Sequence, residues 1–310
     1  MIRVAVVQAA SILFNPLATT EKACEILKRV SLQGGKLAVF PEAFIGGYPK
    51  GQSFGNLIGN RSASGKELYK VYFDGAIKLD GQEMQALIEA VNDTQVTTVM
   101  GIIEQLGRTL YCTAVTLVPG IGIAGYRRKL MPTGLERTVW GFGDGSTLNA
   151  VPTEHGILGT VICWENYMPA LRHTMYAQGV QIYCAPTADD RPSWPSSMVH
   201  IAIEGRVFVL SACQAIKVSD FPEEFQSQLQ LDARGDDYLM HGGSMIVSPN
   251  GELLAPPVYD CETEIYADLD LSDLVRGQMD FDVAGHYSRP DVFQLHVNTD
   301  ALKAVNFTKN

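Results

Sequence analysis

The chain has 310 residues, 46% of them hydrophobic and 19% charged; it is long enough to bury a large core, and no linker, low-complexity run or repeat divides it, so residues 1–310 are read as one domain. Its formal net charge of -10 repels polyanions, and the one tight basic cluster, Arg127, Arg128 and Lys129, is too small to track phosphates, so no nucleic-acid partner is expected. No apolar run is long enough to span a bilayer and MIRVAVVQAA is too short for a signal-peptide core, which excludes a membrane protein and makes the cytoplasm the expected compartment.

Arg3 to Gln8 is the first apolar strand. After Pro16, Ala23, Ile26, Leu27 and Val30 recur at helical spacing, with Thr19 or Thr20 as cap and Gly34-Gly35 as stop, and Leu37 to Phe40 completes a β-α-β unit. That strand runs into Pro41 and Glu42, then into IGGYPKGQSFG, a loop too rich in glycine and aromatics to be a plain connector. Met84, Leu87, Ile88 and Val91 mark another helix, and Thr97 to Ile103 and Tyr111 to Val118 are strands. GIGIAG, from Gly120 to Gly125, has the form of a dinucleotide fingerprint, yet YRRKLMP follows and Pro132 blocks the helix that a pyrophosphate needs. It is read as a turn between strands, with a nucleotide-binding redox protein as the minor alternative. Tyr126 to Leu130 is a short strand ending near Lys129, followed by the charged and aromatic loop PTGLERTVWGFGDGS.

Ile157 to Cys163 is rich in β-branched residues, as expected of a strand buried on both faces, and Pro169 to Gly179 is a helix ended by glycine. Cys163 then stands at a strand's carboxyl end, where open α/β sheets bind ligands and a following helix offers free N–H groups to a thiolate. Position alone leaves a buried structural cysteine as the alternative. Val180 to Ala185 and Val207 to Cys213 are strands flanking the helix SSMVHIAIEGR. Lys217 to His241, polar and acidic, is a surface excursion, lid or subunit contact. Met245 to Ser248, a turn at Pro249-Asn250-Gly251, Glu252 to Ala255 and Glu264 to Leu269 form a hairpin and a following strand, and GHYSRPDVFQL is a terminal arm. The six cysteines lack a C-x-x-C pair and the six histidines lack H-E-x-x-H spacing, so neither a disulfide framework nor a metal site is expected.

Glu42, Lys129 and Cys163 each follow a strand end, and spacing alone does not bring them together. The motifs around them do more. FPEAFIGGYPKG (Phe40 to Gly51), YRRKLMPTGLERTVWGFGDGS (Tyr126 to Ser146), VICWENYMPALR (Val161 to Arg172), SMVHIAIEGRVFVLS (Ser197 to Ser211) and FDVAGHYSRPDVF (Phe281 to Phe293) cover nearly the whole chain. In that order they resemble the nitrilase branch of the carbon–nitrogen hydrolase superfamily.

This resemblance implies an α/β fold, a four-layer α-β-β-α sandwich, with a Glu-Lys-Cys triad carried onto Glu42, Lys129 and Cys163 and a second glutamate onto Glu136. It implies hydrolysis of a small nitrile to acid and ammonia through a thioimidate and a thioester, without a cofactor. A cyanide-hydrating enzyme or an amidase with the same triad is the alternative, and a binding module that merely keeps the fold would be expected to lack a triad residue. In such a site Glu42 moves protons while Lys129 stabilises developing negative charge. Glu136 orients water, tunes its neighbours or is a structural ion-pair partner. Tyr48, Trp140, Trp164 and Trp194 lie in loops beside the motifs and are candidates to shape an apolar substrate pocket, with core burial the alternative for each. A homo-oligomer, dimer or larger, is expected; the family often has a longer tail than the piece after Leu295.

Overall fold

The computed structural model describes residues 1–229, 231–305 and 308. The first half of the chain forms β1 (Ile2–Gln8), α1 (Pro16–Leu32), β2 (Leu37–Val39), a ribbon of β3 (Asn56–Leu57) and β4 (Asn60–Arg61), α2 (Ala63–Asp74), α3 (Gln82–Thr94), β5 (Thr97–Leu106), β6 (Thr109–Val118) and β7 (Gly122–Arg128). The second half forms β8 (Val151–Thr153), β9 (Gly156–Thr160), α4 (Pro169–Ala177), β10 (Ile182–Thr187), α5 (Trp194–Gly205), β11 (Phe208–Cys213), β12 (Ala215–Lys217) and α6 (Glu223–Gln226). It continues with β13 (Tyr238–Val247), β14 (Leu253–Tyr259), β15 (Thr263–Leu269) and α7 (Ser272–Asp280).

Two sheets result. One runs β15-β1-β2-β5-β6-β7 and the other β12-β13-β11-β10-β9-β8, with β14 beside β13. Strand residues alternate between two apolar environments, as period-2 geometry requires of strands covered on both faces. In β1, Val4 and Val6 face the opposite sheet while Ala5 and Val7 meet α1 and α3; in β11, Phe208 and Leu210 face the first sheet while Val209 meets the layer of α4 and α5. The molecule is therefore a four-layer α-β-β-α sandwich. β1, β2 and β5 are mutually parallel, as are β9, β10 and β11, and β7, antiparallel to β6, points the same way as β2. The carboxyl ends of β2 and β7 thus open toward the same edge.

Several sequence expectations need correction. The cap of α1 is Asn15, whose side chain accepts from Ala18 N at 3.1 Å; Thr19 and Thr20 lie inside the first turn and bond back to backbone carbonyls. The strand expected over Glu264 to Leu269 is present as β15, and it crosses to pair with β1 in the other sheet. Lys217 to His241 is less of a surface excursion than its charge suggested: Val218, Phe221 and Phe225 are buried, Phe225 stacks on Phe14 with centroids 4.1 Å apart, and β13 begins within it. Residue 230 of that stretch lies outside the described residues. GIGIAG spans the β6–β7 turn and the start of β7. Helices α2 and α7 had no counterpart in the sequence reading. Among the described residues, no helix is long and apolar enough to cross a membrane.

Candidate active site

The loop after β2 lies flat on β5, with Ile45 N donating to Gly101 O at 3.1 Å and Ile103 N to Ile45 O at 2.8 Å. Gly101 permits that approach, since a Cβ there would stand 2.0 Å from Pro41 O. Glu42 is thereby held at the sheet edge, and Gln214 reaches from the second sheet to donate to its backbone oxygen at 3.0 Å. Lys129 follows β7 directly and its N–H continues the ladder to Cys112 O at 2.8 Å. A 3-10 turn, Gly134–Thr138, folds Glu136 back so that its Oε2 accepts from Thr133 N at 2.6 Å.

These three residues converge. Lys129 Nζ lies 2.7 Å from Glu42 Oε1 and 2.7 Å from Glu136 Oε2, and Tyr48 donates its hydroxyl to Glu136 Oε1 at 2.7 Å. Cys112 also donates to Glu42 Oε1, at 3.4 Å, so that oxygen is occupied twice. Glu42 Oε2 is buried with no fixed partner among the described residues, and the Cys163 thiol faces this carboxylate closely enough to ease its ionisation.

Cys163 does not end a strand. β9 stops at Thr160, and Cys163 begins a 3-10 turn, Cys163–Tyr167, with φ +52°, a conformation costly for a side chain bearing Cβ. The helix expected to stabilise a thiolate starts only at Pro169. Consistent with this, burial and then the negative charge of Glu42 push the Cys163 thiol well above its ordinary range, with Lys129 opposing and Thr187 Oγ1 donating to Sγ at 3.4 Å. Glu42 is likewise raised, first by burial and then by Glu136 against the pull of Lys129. Burial works against the charge on Lys129, but Glu42, Cys163 and Glu136 together hold its ammonium well above the usual range. Burial thus favours the protonated thiol at Cys163, beside a carboxylate whose ionisation is raised and an ammonium held between two carboxylates.

Glu165, within the CWEN motif, joins the two halves. Its Oε1 accepts from Leu130 N at 2.6 Å and Arg127 Nη2 at 2.9 Å, and its Oε2 from Ile162 N at 3.1 Å. One buried carboxylate thus grips the residue after Lys129 and the residue before Cys163. Asn166 closes the turn by donating to Val161 O at 2.9 Å and Cys163 O at 2.7 Å.

A cavity of about 220 Å³ opens onto Cys163 and is lined by Tyr48, Lys50, Glu136, Trp164 and Asp189 among others. The aromatic candidates divide. Tyr48 and Trp164 line the cavity, Trp164 donating its Nε1 to Asp189 Oδ2 at 2.8 Å beneath the Arg191 guanidinium. Trp140 is buried behind the triad, its ring centroid 5.5 Å from Lys129 Nζ, and its Nε1 donates to the Tyr72 hydroxyl at 3.0 Å. Trp194 is not at the site: it is 1% exposed in the outer core under α5, with its Nε1 bonded to Ser211 Oγ at 2.9 Å. Sequence reasoning passed over Glu165, Thr187, Gln214 and Cys112. For Thr187 and Gln214 the available signal was polarity at or beside the end of an apolar strand, where a buried polar group needs a partner. Among the described residues no group of His, Cys, Asp and Glu is arranged to hold a metal ion.

Comparison with known proteins gives a consistent frame. A profile described as carbon–nitrogen hydrolase matches residues 3–277. A nitrilase of Bradyrhizobium diazoefficiens is 51% identical over 304 residues, covering 98% of this chain and 94% of its own. An aliphatic nitrilase of Sinorhizobium fredii is 51% identical over 303 residues, covering 98% and 97%. Among solved structures, a carbon–nitrogen hydrolase from Helicobacter pylori superposes with a TM-score of 0.73 over 94% of this chain and 96% of that one, at 19% identity.

Proposed function

Since the chain belongs to the carbon–nitrogen hydrolase family, we propose that it is a nitrilase, converting an organic nitrile and water to a carboxylic acid and ammonia. The observation that carries the reading is the buried ammonium of Lys129, 2.7 Å from both Glu42 and Glu136, at a cavity lined by Glu136 and Cys163. A nitrile carbon is a weak electrophile, and a protonated thiol does not attack it. Glu42 Oε2 takes the proton as Sγ of Cys163 bonds to carbon, and the proton passes on to nitrogen, giving a thioimidate. Water then adds to that carbon as Glu42 accepts its proton; the nitrogen, protonated in turn, leaves as ammonia; and a thioester remains. A second water frees the acid and restores the thiol. At each tetrahedral stage Lys129 is the adjacent positive charge, placed before the reaction begins.

We read Glu42, Lys129 and Cys163 as catalytic, Glu136 as the carboxylate that tunes them, and Tyr48 and Trp164 as substrate contacts. The continuous core between the sheets supports one domain. Six free cysteines fit a reducing compartment such as the cytoplasm. Exposed Val275, Met279, Tyr287 and Phe293 along α7 and the arm support self-association, which light scattering tests. For the activity, the experiment is ammonia release from a panel of aliphatic, aryl and arylaceto nitriles with chromatography of the products. Acid with equimolar ammonia supports a nitrilase; amide alone indicates a hydrating enzyme, and turnover of amides but no nitrile indicates an amidase.

A further inference from the structure

Beyond Tyr48 the catalytic cavity adjoins a second one of about 300 Å³, which shares Tyr48, Lys50, Thr133 and Glu136 as lining. The outer chamber differs in chemistry. Its remaining walls include the apolar side chains of Phe54, Leu135, Val139 and Leu231. Away from the outer chamber the inner cavity is lined by Asp190, which also meets the shared Lys50 at 3.5 Å, and by Asp189, which accepts from Arg191 Nε at 2.8 Å. A hydrocarbon group gains nothing by turning toward those charges, whereas the outer chamber offers it apolar contact.

Leu231 and Leu135 are 46% and 59% exposed, large hydrophobes left partly in water at a cavity wall. Leu231 is nonetheless set in place by its surroundings. A Cβ on Gly51, whose φ is +73°, would lie 3.0 Å from Leu231 Cδ1 and 3.0 Å from Leu229 Cδ2, so these two leucines rest directly on the loop that follows Glu42. Helix α6, from which the chain leads to Leu231, is held by the stacking of Phe225 on Phe14 and by Gln52, which donates to Phe225 O at 3.0 Å. Leu231 walls the chamber on that side.

Resting on the nitrilase reading, we propose that the outer chamber receives the apolar body of the substrate, that the substrates are nitriles bearing an extended hydrocarbon or aryl group, and that Leu231 and Leu135 set this preference. Each methylene entering such a chamber contributes about 0.8 kcal/mol, or about fourfold in kcat/KM. The test is a series of unbranched nitriles from propionitrile to heptanenitrile, assayed with the wild type, Leu231→Asp and Leu135→Asp. Expected is a rise of about threefold to fourfold per methylene once the chain passes Tyr48. In each variant the heptanenitrile-to-propionitrile ratio should fall about tenfold or more. Nitriles hydrolysed with no dependence on chain length, or a slope intact in both variants, would overturn the inference and leave the nitrilase reading standing. If no nitrile is turned over, the nitrilase reading falls and this inference falls with it.

Discussion

Glu165 offers the sharpest separation of catalytic geometry from stability. Replacing it with leucine leaves Arg127, 3% exposed, as a buried cation without its carboxylate, which costs about 3–5 kcal/mol. It also strips Leu130 N and Ile162 N of their acceptor, at about 1–3 kcal/mol each. Together these approach the whole of a typical folding stability of about 5–15 kcal/mol, so the single variant should be barely folded. The double variant Arg127→Met/Glu165→Leu removes both charges. Burial is the largest influence on Glu165 and raises its ionisation above the ordinary carboxylate range, ahead of the opposing pull of Arg127. A carboxylate raised in the fold contributes stability below its unfolded value and loses it as pH rises through the folded one. At neutral pH the charge is therefore a cost, and the double variant should regain the part of the lost melting temperature that came from the unpaired Arg127, staying below wild type because Leu130 N and Ile162 N still lack their acceptor. Its kcat/KM should still lie at least about 100-fold below wild type, because the clamp that sets Lys129 against Cys163 is gone and a displacement of about 1 Å costs that much. Thermal melts beside nitrile kinetics make the comparison. A double variant that recovers both stability and rate would mean that the pair only holds the fold.

Cys163→Ala should abolish turnover and Cys184→Ala should not, since Cys184 faces the core between the sheets; mass spectrometry of enzyme quenched with substrate should find the adduct on the peptide holding Cys163, and an adduct elsewhere would refute the assignment. Lys129→Ala should lose on the order of 100- to 1000-fold in rate while keeping a native circular dichroism spectrum, and Lys129→Arg should also fail because a planar fork does not replace a compact ammonium between two carboxylates. A Lys129→Ala enzyme with more than about a tenth of wild-type activity would contradict this. Glu136→Gln removes a negative charge that raises Glu42, so the acid limb of kcat/KM, expected above the ordinary carboxylate range in the wild type, should move to lower pH. The same variant should release a larger fraction of amide, read as the amide-to-acid ratio at matched conversion, and an unchanged limb and ratio would make Glu136 a structural partner.

Periodicity located β1, α1, β2, α3, β5, β6 and α5 because each buries a regular apolar face, and such faces are written in residue type. It missed α2, where Leu68 and Tyr72 are buried but much of the surface is polar, and α7, where Leu274 and Gly277 are the buried residues. Cys163 exposes a deeper limit. The run Ile157 to Cys163 is apolar but for Thr160, yet β9 stops at Thr160 and Ile162 N is claimed by Glu165, whose other oxygen takes Leu130 N from a distant segment. Trp194 and Trp164 are alike in residue type and in proximity to family motifs. Only the direction of each indole, into the α5 core or into the cavity, tells them apart.

The catalytic group is drawn from both sheets: Glu42 and Lys129 stand at the edge of one, Cys163 beyond the edge of the other. Neither half of the chain owns a reaction. The distance across the site is fixed by the thickness of the hydrocarbon layer in which Val4, Val6, Leu210 and Ile246 meet, so that layer acts as a spacer as well as an adhesive. A substitution far from any substrate that swells or thins it would act on the chemistry as a change of bond reach, with every catalytic side chain still present. Rate is therefore a gauge of how closely the two sheets sit.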